Sequence, residues 1–167
     1  NYILNLKKFK NIFFLDPDIF LFENLSLIEN KLIDHNIILT PHITAPTGAK
    51  SDQLFMRYGV YNLGFIAISD TPESLRFIKW WMDALSLWCF DDKRTSLFHD
   101  QKWIDLVPSL FSDVHIERHP GCNVAYWNLH ERDTFIDPVS GRLLVGDGLP
   151  VIFFHFSSVT FDDPLAI

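Results

Sequence analysis

The sequence predicts a mixed α/β domain, and two features of its hydrophobic pattern carry that prediction. Short runs of Ile, Phe, Leu and Val have the length and composition of buried strands. Longer segments between them repeat apolar residues at helical spacing. Since the two patterns alternate along 167 residues without a repeat or an evident linker, we expect one domain in which helices flank a sheet.

The first half of the chain opens with a strand pattern that a charged tripeptide interrupts. The apolar run NIFFL ends at Asp16-Pro17-Asp18, after which IFLF resumes an extended pattern. Further along, the segment HITAPTGAKSDQLFMR is polar and long enough to indicate a functional loop. The predicted elements here are strands at 11–15 and 19–22, a helix over 24–35, a strand at 37–40 that Pro41 stops, a polar loop over 42–57 and a strand at 59–69.

The clearest helix of the chain begins near residue 71. Thr71 can cap it, Pro72 suits its first turn, and Glu73 is favourable at the positive end of the helix dipole. Four residues at helical spacing form its predicted core-facing stripe, namely Leu75, Ile78, Met82 and Leu85. The remaining predicted elements are a helix over 99–111 with Pro108 near its end, a strand at 114–119 and a hairpin over 142–156 around Gly146-Asp147-Gly148.

The composition argues against some classes of function. The formal net charge is -7 and the Lys and Arg residues are scattered, which argues against a nucleic-acid backbone as the main partner. A phosphate ligand remains compatible with this charge, because a bound divalent metal supplies positive charge. No apolar run approaches the ~20 residues of a transmembrane helix, and neither a signal-peptide pattern nor an initiating Met is present. Because no initiating Met is present, we expect the chain to be a piece of a longer protein. Cys89 and Cys122 make no disulfide framework, so we expect reduced thiols in a cytoplasmic protein.

Asp16 and Asp18 are the first candidates for a chemical role. Like charges this close raise each other's free energy unless something offsets them. A Mg²⁺ or Mn²⁺ ion does so, since it prefers carboxylate oxygens and keeps positions open for phosphate. The alternative is a polar turn at a strand end. His155, in VIFFHFSS, is either a satisfied core histidine or a third metal ligand, and a metal site requires all three side chains to converge.

Other polar residues occupy positions that admit both a structural and a functional explanation. Asn62 lies inside an apolar strand pattern, where an amide without partners is costly, so it should bond either backbone or a ligand. Gly64 nearby permits a close approach to the backbone. Asp100-Gln101 opens a predicted helix, where capping by Asp100 is the simpler role. Among the Trp residues, Trp127 in NVAYWN is the one that we expect to touch a ligand.

Taken in order, these segments resemble the GT-A glycosyltransferases, the nucleotide-diphospho-sugar transferases. The similarity is greatest to bacterial glycosyltransferase-like proteins in four segments, LDPDIF, GVYNLGFIA, DQKWIDLVP and NVAYWNLHER, and it extends over about residues 11–158. The retaining galactosyltransferase and glycogenin type is more distantly similar. The resemblance implies a Rossmann-like mixed sheet flanked by helices, and transfer of a sugar from a nucleotide-diphosphate sugar to an acceptor. Neither the donor nor the acceptor is identified by the sequence.

The resemblance also implies a role for each candidate residue. Asp16 and Asp18 match the D-x-D pair that holds a Mn²⁺ or Mg²⁺ ion against the diphosphate, with Asp16 also at the ribose. His155 matches the late His that completes the metal shell. The residues implied to bind the donor are Asp16, Asp18, Asn62, Gly64, Trp127 and Asn128, and the catalytic groups implied beside the transferred sugar are Asp100 and Gln101.

Two departures from the family pattern concern completeness and phosphate binding. The family's first βα units, which bind the nucleotide base, precede the D-x-D strand, whereas only about ten residues precede it here. Residues 1–167 are therefore expected to form a single, partial GT-A domain that lacks those units. The galactosyltransferase type follows its late His with a Gly and a Lys that reach the phosphates, whereas HFSSVTFDD contains no Lys.

Two other functions stay open. A metal-dependent phosphohydrolase would use Asp16 and Asp18 as nucleophile and acid, although such sites usually follow the second Asp with a small turn rather than with Ile19-Phe20. A non-catalytic sugar-binding module, or an inactive fragment, would use its tryptophans to stack on sugar rings. An assay for donor hydrolysis separates these functions from sugar transfer.

Overall fold

The computed structural model describes residues 9–92 and 94–159 and confirms the mixed α/β architecture. Its strands are β1 (Asn11–Leu15), β2 (Ile19–Leu21), β3 (Ile37–Pro41), β4 (Tyr61–Ser69), β5 (Asp91–Asp92), β6 (Leu97–Phe98), β7 (Val114–Ile116), β8 (Thr134–Ile136), β9 (Leu143–Val145), β10 (Leu149–Pro150) and β11 (Phe153–His155). Its helices are α1 (Ser26–Lys31), α2 (Ala49–Tyr58), α3 (Pro72–Trp88) and α4 (Val107–Leu110), with 3₁₀ helices at Gln101–Leu106 and Tyr126–Glu131.

A four-stranded sheet in the order β1-β4-β3-β7 forms the centre of the molecule. Strand β4 is antiparallel to both of its neighbours, and β3 is parallel to β7. Strand β3 is buried throughout and β4 is buried beyond its first residue, as their long apolar runs predict. Among the described strands, β1 ends this sheet on one side, and Phe14 on it is half exposed.

Two apolar clusters cover the two faces of the sheet, because successive side chains of a strand point to opposite faces. Helix α3 packs on one face and helix α1 on the other, together with β11. The first cluster contains Ile37, Leu39, Leu63, Ile66, Ile68, Phe77, Ile104, Val107 and Phe111. The second contains Ile28, Leu32, Ile38, Phe65, Ala67, Cys122, Ile152 and Phe153.

The alternation of side chains along β4 breaks near its start. Over 65–68 the side chains alternate between the two clusters, with Phe65 in the second. Strict alternation would place Leu63 in the second cluster as well, but it packs in the first. The register against β3 shifts at the same place, because residues 63–65 have no partner on β3. Such an irregularity re-aims the side chains beyond it, and here it turns Asn62 toward the face on which β11 lies.

The predicted polar loop over 42–57 is wrong in its second half, which forms α2. No residue of this helix is fully buried, and its large apolar residues, Leu54, Phe55 and Met56, all lie in its second half, so its first half has the pattern of a polar loop. Its residues are nevertheless mostly good helix formers and include neither Gly nor Pro. Asp52 in its first turn accepts hydrogen bonds from the backbone N–H and the hydroxyl of Thr47, which ties the helix to the preceding loop.

The predicted helix over 99–111 is divided into a 3₁₀ helix and α4. Pro108 lies in the first turn of α4, where an N–H has no intrahelical acceptor in any case. A continuous α-helix would press the ring of Pro108 against the carbonyl of Ile104. The backbone therefore changes its helix type before the proline.

Three further elements are shorter than predicted. The helix over 24–35 is confined to α1, and the strand at 114–119 is confined to β7. The hairpin over 142–156 is correct only as far as Pro150, because β11 leaves it and pairs antiparallel with β2. That pairing joins segments far apart in the chain, so the local pattern does not reveal it.

Helix α3 begins as predicted, with Thr71 capping its first turn, but its buried face is rotated from the predicted stripe. Leu75 and Met82 are exposed, whereas Phe77 is buried and Trp81 packs against the first cluster. The aromatic side chains take the core-facing positions because they bury the larger apolar area.

Two findings concern expectations drawn from composition. Both cysteines are free, with Cys122 buried and Cys89 exposed. Among the described helices, none combines the length and the apolar character needed to cross a membrane.

Candidate functional site

The pairing of β2 with β11 brings together residues that are far apart in the sequence. Asp16 is the first residue after β1, and Asp18 lies just before β2. Strand β11 pairs with β2 so that His155 lies opposite Ile19. The Nε2 atom of His155 is therefore 3.1 Å from Oδ1 of Asp18 and 4.0 Å from Oδ2 of Asp16. The expected convergence of these three side chains is confirmed.

The three side chains form a compact set of possible metal ligands. One ligand atom from each lies within 4.8 Å of the others. His155 is buried, while both carboxylates are partly open to solvent. Burial raises the pKa of Asp16, and the attraction of His155 opposes this effect. The negative charges of Asp18 and Asp100 raise the pKa of Asp16 further by repulsion. Two carboxylates and one imidazole fit a divalent cation such as Mn²⁺ or Mg²⁺, which would relieve this repulsion.

Asn62 and Gly64 both support His155 directly. Oδ1 of Asn62 lies 3.0 Å from Nδ1 of His155. The close approach that Gly64 permits is made by the same imidazole, because a Cβ on Gly64 would lie 2.4 Å from its Cε1. The carbonyl of Gly64 also accepts the N–H of Asp16 at 2.8 Å. Their contact with a sugar donor stays a prediction.

A cleft of about 510 Å³ opens beside these residues. Polar groups form part of its wall, and aromatic rings form much of the rest. Aromatic rings offer flat apolar faces, and a few polar groups fix the orientation of a ligand. The lining consists of Asp16, Asp18, His42, Leu54, Phe55, Tyr58, Asn62, Phe98, Gln101, Tyr126, Trp127, His155, Ser157 and Ser158.

Gln101 reaches the cleft, whereas Asp100 is not among the lining residues. Both ends of the Gln101 amide are engaged, since Nε2 donates to the carbonyl of Tyr58 at 3.0 Å and Oε1 accepts the N–H of Leu63 at 2.9 Å. Within the described part of the chain, Asp100 makes no side-chain capping hydrogen bond to the 3₁₀ helix that follows it. Its charge acts on Asp16, whose pKa it helps to raise. The catalytic roles of Asp100 and Gln101 stay predictions.

Trp127 lines the cleft, and Asn128 does not. The Trp127 ring meets the rings of His155 and His42 edge to face, with centroids 5.3 Å and 5.5 Å apart. Asn128 is fully buried, and its side chain bonds backbone groups, including the carbonyl of His42. The structure gives Asn128 the role of holding the turn at Ala125 in place.

His42 and the pair Ser157-Ser158 line the cleft but are absent from the predicted site. His42 is buried, and burial lowers its pKa to about 4. Strand direction is the signal that would have identified it. Strands β1 and β3 run the same way, since both are antiparallel to β4. The residues that follow these strands, Asp16 and His42, therefore meet at one edge of the sheet.

The comparisons with known sequences give two relatives and no family. No protein-family model matches the chain. The uncharacterized protein YfnF of Bacillus subtilis (strain 168) is 30% identical over 151 residues, which cover 89% of this chain and 49% of that protein. The uncharacterized protein YfnD of the same organism is 27% identical over 148 residues, which cover 87% and 46%. The chain thus spans about half the length of the curated relatives that it matches.

A comparison with solved structures points to the class of fold. A glycosyltransferase involved in the glycosylation of the major capsid of PBCV-1 matches 95% of this chain and 68% of its own, with a TM-score of 0.54 and 14% identity. At this identity the likeness concerns the fold alone. The chain therefore has a glycosyltransferase-like α/β fold, while the GT-A assignment and the partial character of the domain stay predictions.

Proposed function

We propose that this chain carries the site of a metal-dependent glycosyltransferase, which moves a sugar from a nucleotide-diphosphate sugar to an acceptor. The observation on which the proposal depends is the convergence of Asp16, Asp18 and His155 in the wall of an open cleft. The fold likeness to a glycosyltransferase supports the same class of reaction.

In this proposal Asp16, Asp18 and His155 hold Mn²⁺ or Mg²⁺. An ion held there would stabilise the negative charge that grows on the leaving nucleoside diphosphate. Of the described residues that line the cleft, none is Lys or Arg. Because the two carboxylates repel a diphosphate, binding of the donor is expected to require the cation.

The reaction sets specific tasks for the protein side chains. The bond between C1 of the sugar and the diphosphate breaks, and its electron pair goes to the diphosphate oxygen. The acceptor hydroxyl oxygen forms the new bond to C1, and its proton passes to solvent in the open cleft. As positive charge develops at C1, the negative charge of Asp100, which acts on Asp16 in the cleft wall without lining the cleft itself, is proposed to stabilise it. Tyr126 and Trp127 present rings to the cleft on which a sugar can stack.

The test of the metal site is a thermal shift with Mn²⁺ and a panel of nucleoside diphosphates. A ligand at a hundredfold excess over its Kd stabilises the folded state by about 2.7 kcal/mol, which raises the Tm by about 5–10 °C for a chain of this size. Asp18→Asn is expected to abolish the shift. Asp34→Asn is the matched control, since Asp34 is exposed and does not line the cleft. A full shift in Asp18→Asn would refute the proposed metal site.

A product assay on the full-length protein separates the proposed function from its alternatives. A glycosyltransferase releases nucleoside diphosphate from a nucleotide sugar and glycosylates an acceptor. A phosphohydrolase releases phosphate, and a binding module releases nothing. The proposal requires nucleoside diphosphate as the product, and its formation must depend on the metal.

A further inference from the structure

We propose that Asn62 is a positioning residue for His155. Its amide holds the imidazole in the tautomer that presents Nε2 to the two carboxylates, and His42 fixes the amide from the other side. This inference rests on the proposed function, because His155 is a proposed metal ligand there. It gives Asn62 a task that differs from the donor contact implied by the family resemblance.

The orientation of the Asn62 amide follows from Gln101. Since Nε2 of Gln101 donates to the carbonyl of Tyr58, its Oε1 must be the atom that accepts the N–H of Leu63. This Oε1 lies 3.5 Å from Nδ2 of Asn62. A reversed Asn62 amide would put Oδ1 against Oε1, two acceptors with no proton between them. Nδ2 therefore faces Gln101, and Oδ1 faces away from it.

The proton positions on the two neighbouring imidazoles follow from this orientation. Oδ1 of Asn62 is an acceptor 3.0 Å from Nδ1 of His155, so that nitrogen carries a proton. Nε2 is then left to offer its lone pair to a cation between the carboxylates. On the other side, Nδ2 of Asn62 donates to Nε2 of His42 at 3.3 Å. His42 therefore carries its proton on Nδ1, which is buried and has no hydrogen-bond partner among the described residues.

Packing leaves the His155 ring little room for a second orientation. The ring is 4% exposed. A Cβ on Gly64 would lie 2.4 Å from Cε1 and 2.7 Å from Nδ1, so only glycine lets the ring approach this closely. Trp127 also packs against the ring, edge to face, at an interplanar angle of 85°. Because packing already fixes the plane of the ring, the specific contribution of Asn62 is the choice of the nitrogen that carries the proton.

Two substitutions at Asn62 separate the hydrogen bond from the packing. Asn62→Leu keeps the size of the side chain and removes both hydrogen bonds, whereas Asn62→Asp keeps the acceptor for His155 and loses the donor to His42. Binding of Mn²⁺ alone is measured by the EPR signal of the free ion. We expect Asn62→Leu to weaken binding by about 10–100-fold, the usual effect of removing the outer partner of a metal-binding histidine. Asn62→Asp is expected to bind at least as tightly as the wild type, because a carboxylate is the stronger acceptor.

A second readout follows His42 by ¹⁵N NMR. In the wild type the proton is expected on Nδ1 of His42. In Asn62→Asp the carboxylate cannot donate, so Nε2 of His42 is expected to carry a proton. A purely structural role of Asn62 would not move this proton, and an unchanged His42 would contradict the assigned orientation of the amide.

Asp18→Asn distinguishes a failure of this inference from a failure of the proposed function. If Asp18→Asn binds Mn²⁺ as the wild type does, the metal site itself is wrong. If Asp18→Asn loses the ion while Asn62→Leu binds it as tightly as the wild type, the positioning role is overturned and the proposed function stands. Should Asn62→Leu not fold, Asn62→Asp decides, because a loss of Mn²⁺ there would overturn the role of the acceptor.

Discussion

Gly64→Ala tests whether the contact between Gly64 and His155 fixes the site. The backbone of Gly64 does not have the positive φ that disfavours Ala, so crowding alone decides the outcome. The new methyl group would lie 2.4 Å from Cε1 of His155 and 3.0 Å from Oδ1 of Asn62. Since carbon atoms pack at about 3.5–4.0 Å, the imidazole has to move by about 1 Å or more.

A displacement of this size is a large fraction of the 3.1 Å between Nε2 of His155 and Asp18. Overpacking of this kind lowers the free energy of unfolding by about 1–3 kcal/mol, and each kcal/mol lowers the Tm by about 2–4 °C. Misplacing the ligand is expected to weaken Mn²⁺ binding by about 10–100-fold. Thermal unfolding measures the first effect, and a Mn²⁺ titration followed by EPR measures the second.

A double-mutant cycle with His155→Ala isolates the contact. When the imidazole is absent, the methyl group of Gly64→Ala meets less resistance, and its cost is expected to fall below about 1 kcal/mol. Gly48→Ala is the matched control, because its Cβ meets nothing within 4 Å. Its φ of +118° makes that substitution destabilising without affecting the site. An equal cost of Gly64→Ala in both backgrounds, or undiminished Mn²⁺ binding, would refute the reasoning.

Two further predictions concern side chains whose pKa is shifted by burial. Burial lowers the pKa of His42 from 6.5 to about 4. Between these two pH values the unfolded chain binds a proton at His42 that the folded chain does not bind. The free energy of unfolding is therefore expected to fall by about 3 kcal/mol as the pH is lowered from 6.5 to 4. His42→Gln is expected to flatten this acid limb in urea unfolding measured across the same pH range, and parallel profiles for the two proteins would contradict the prediction. Burial raises the pKa of Cys122, which is 2% exposed, so a thiol reagent is expected to modify Cys89 rapidly and Cys122 only after unfolding. In Cys89→Ser the folded protein should show no fast-reacting thiol, and a fast reaction would show that Cys122 is accessible.

The sequence predicted correctly those elements whose conformation is determined by residues close together in the chain. The continuous apolar run of β3 reflects burial on both faces, and the cap and first turn of α3 are encoded by the residues that form them. The repulsion between Asp16 and Asp18 predicted a need for a cation, and His155 was the candidate third ligand, with a polar turn and a core histidine as the alternatives. Helix α2 was missed because its first half is polar and its large apolar residues are confined to its second half.

The remaining parts of the site depend on contacts between distant segments. The sequence shows that Gly64 permits a close approach, but the partner that approaches it comes from β11. The engagement of both ends of the Gln101 amide likewise depends on how the 3₁₀ helix packs against β4 and against the end of α2. No local pattern contains these pairings, because each partner is specified in a different segment of the chain.

The break in alternation within 63–65 also determines how this chain should be aligned with its relatives. Residues 63–65 cross the break without a partner on β3, and their number sets the face to which Asn62 points. Removing or adding one residue there would turn Asn62 to the opposite face, away from His155. A substitution at Leu63 alters packing only, but a gap between Asn62 and Gly64 disconnects the site even when every polar residue is retained. Annotation transferred from one relative to another should therefore count the spacing of N-x-G as part of the motif.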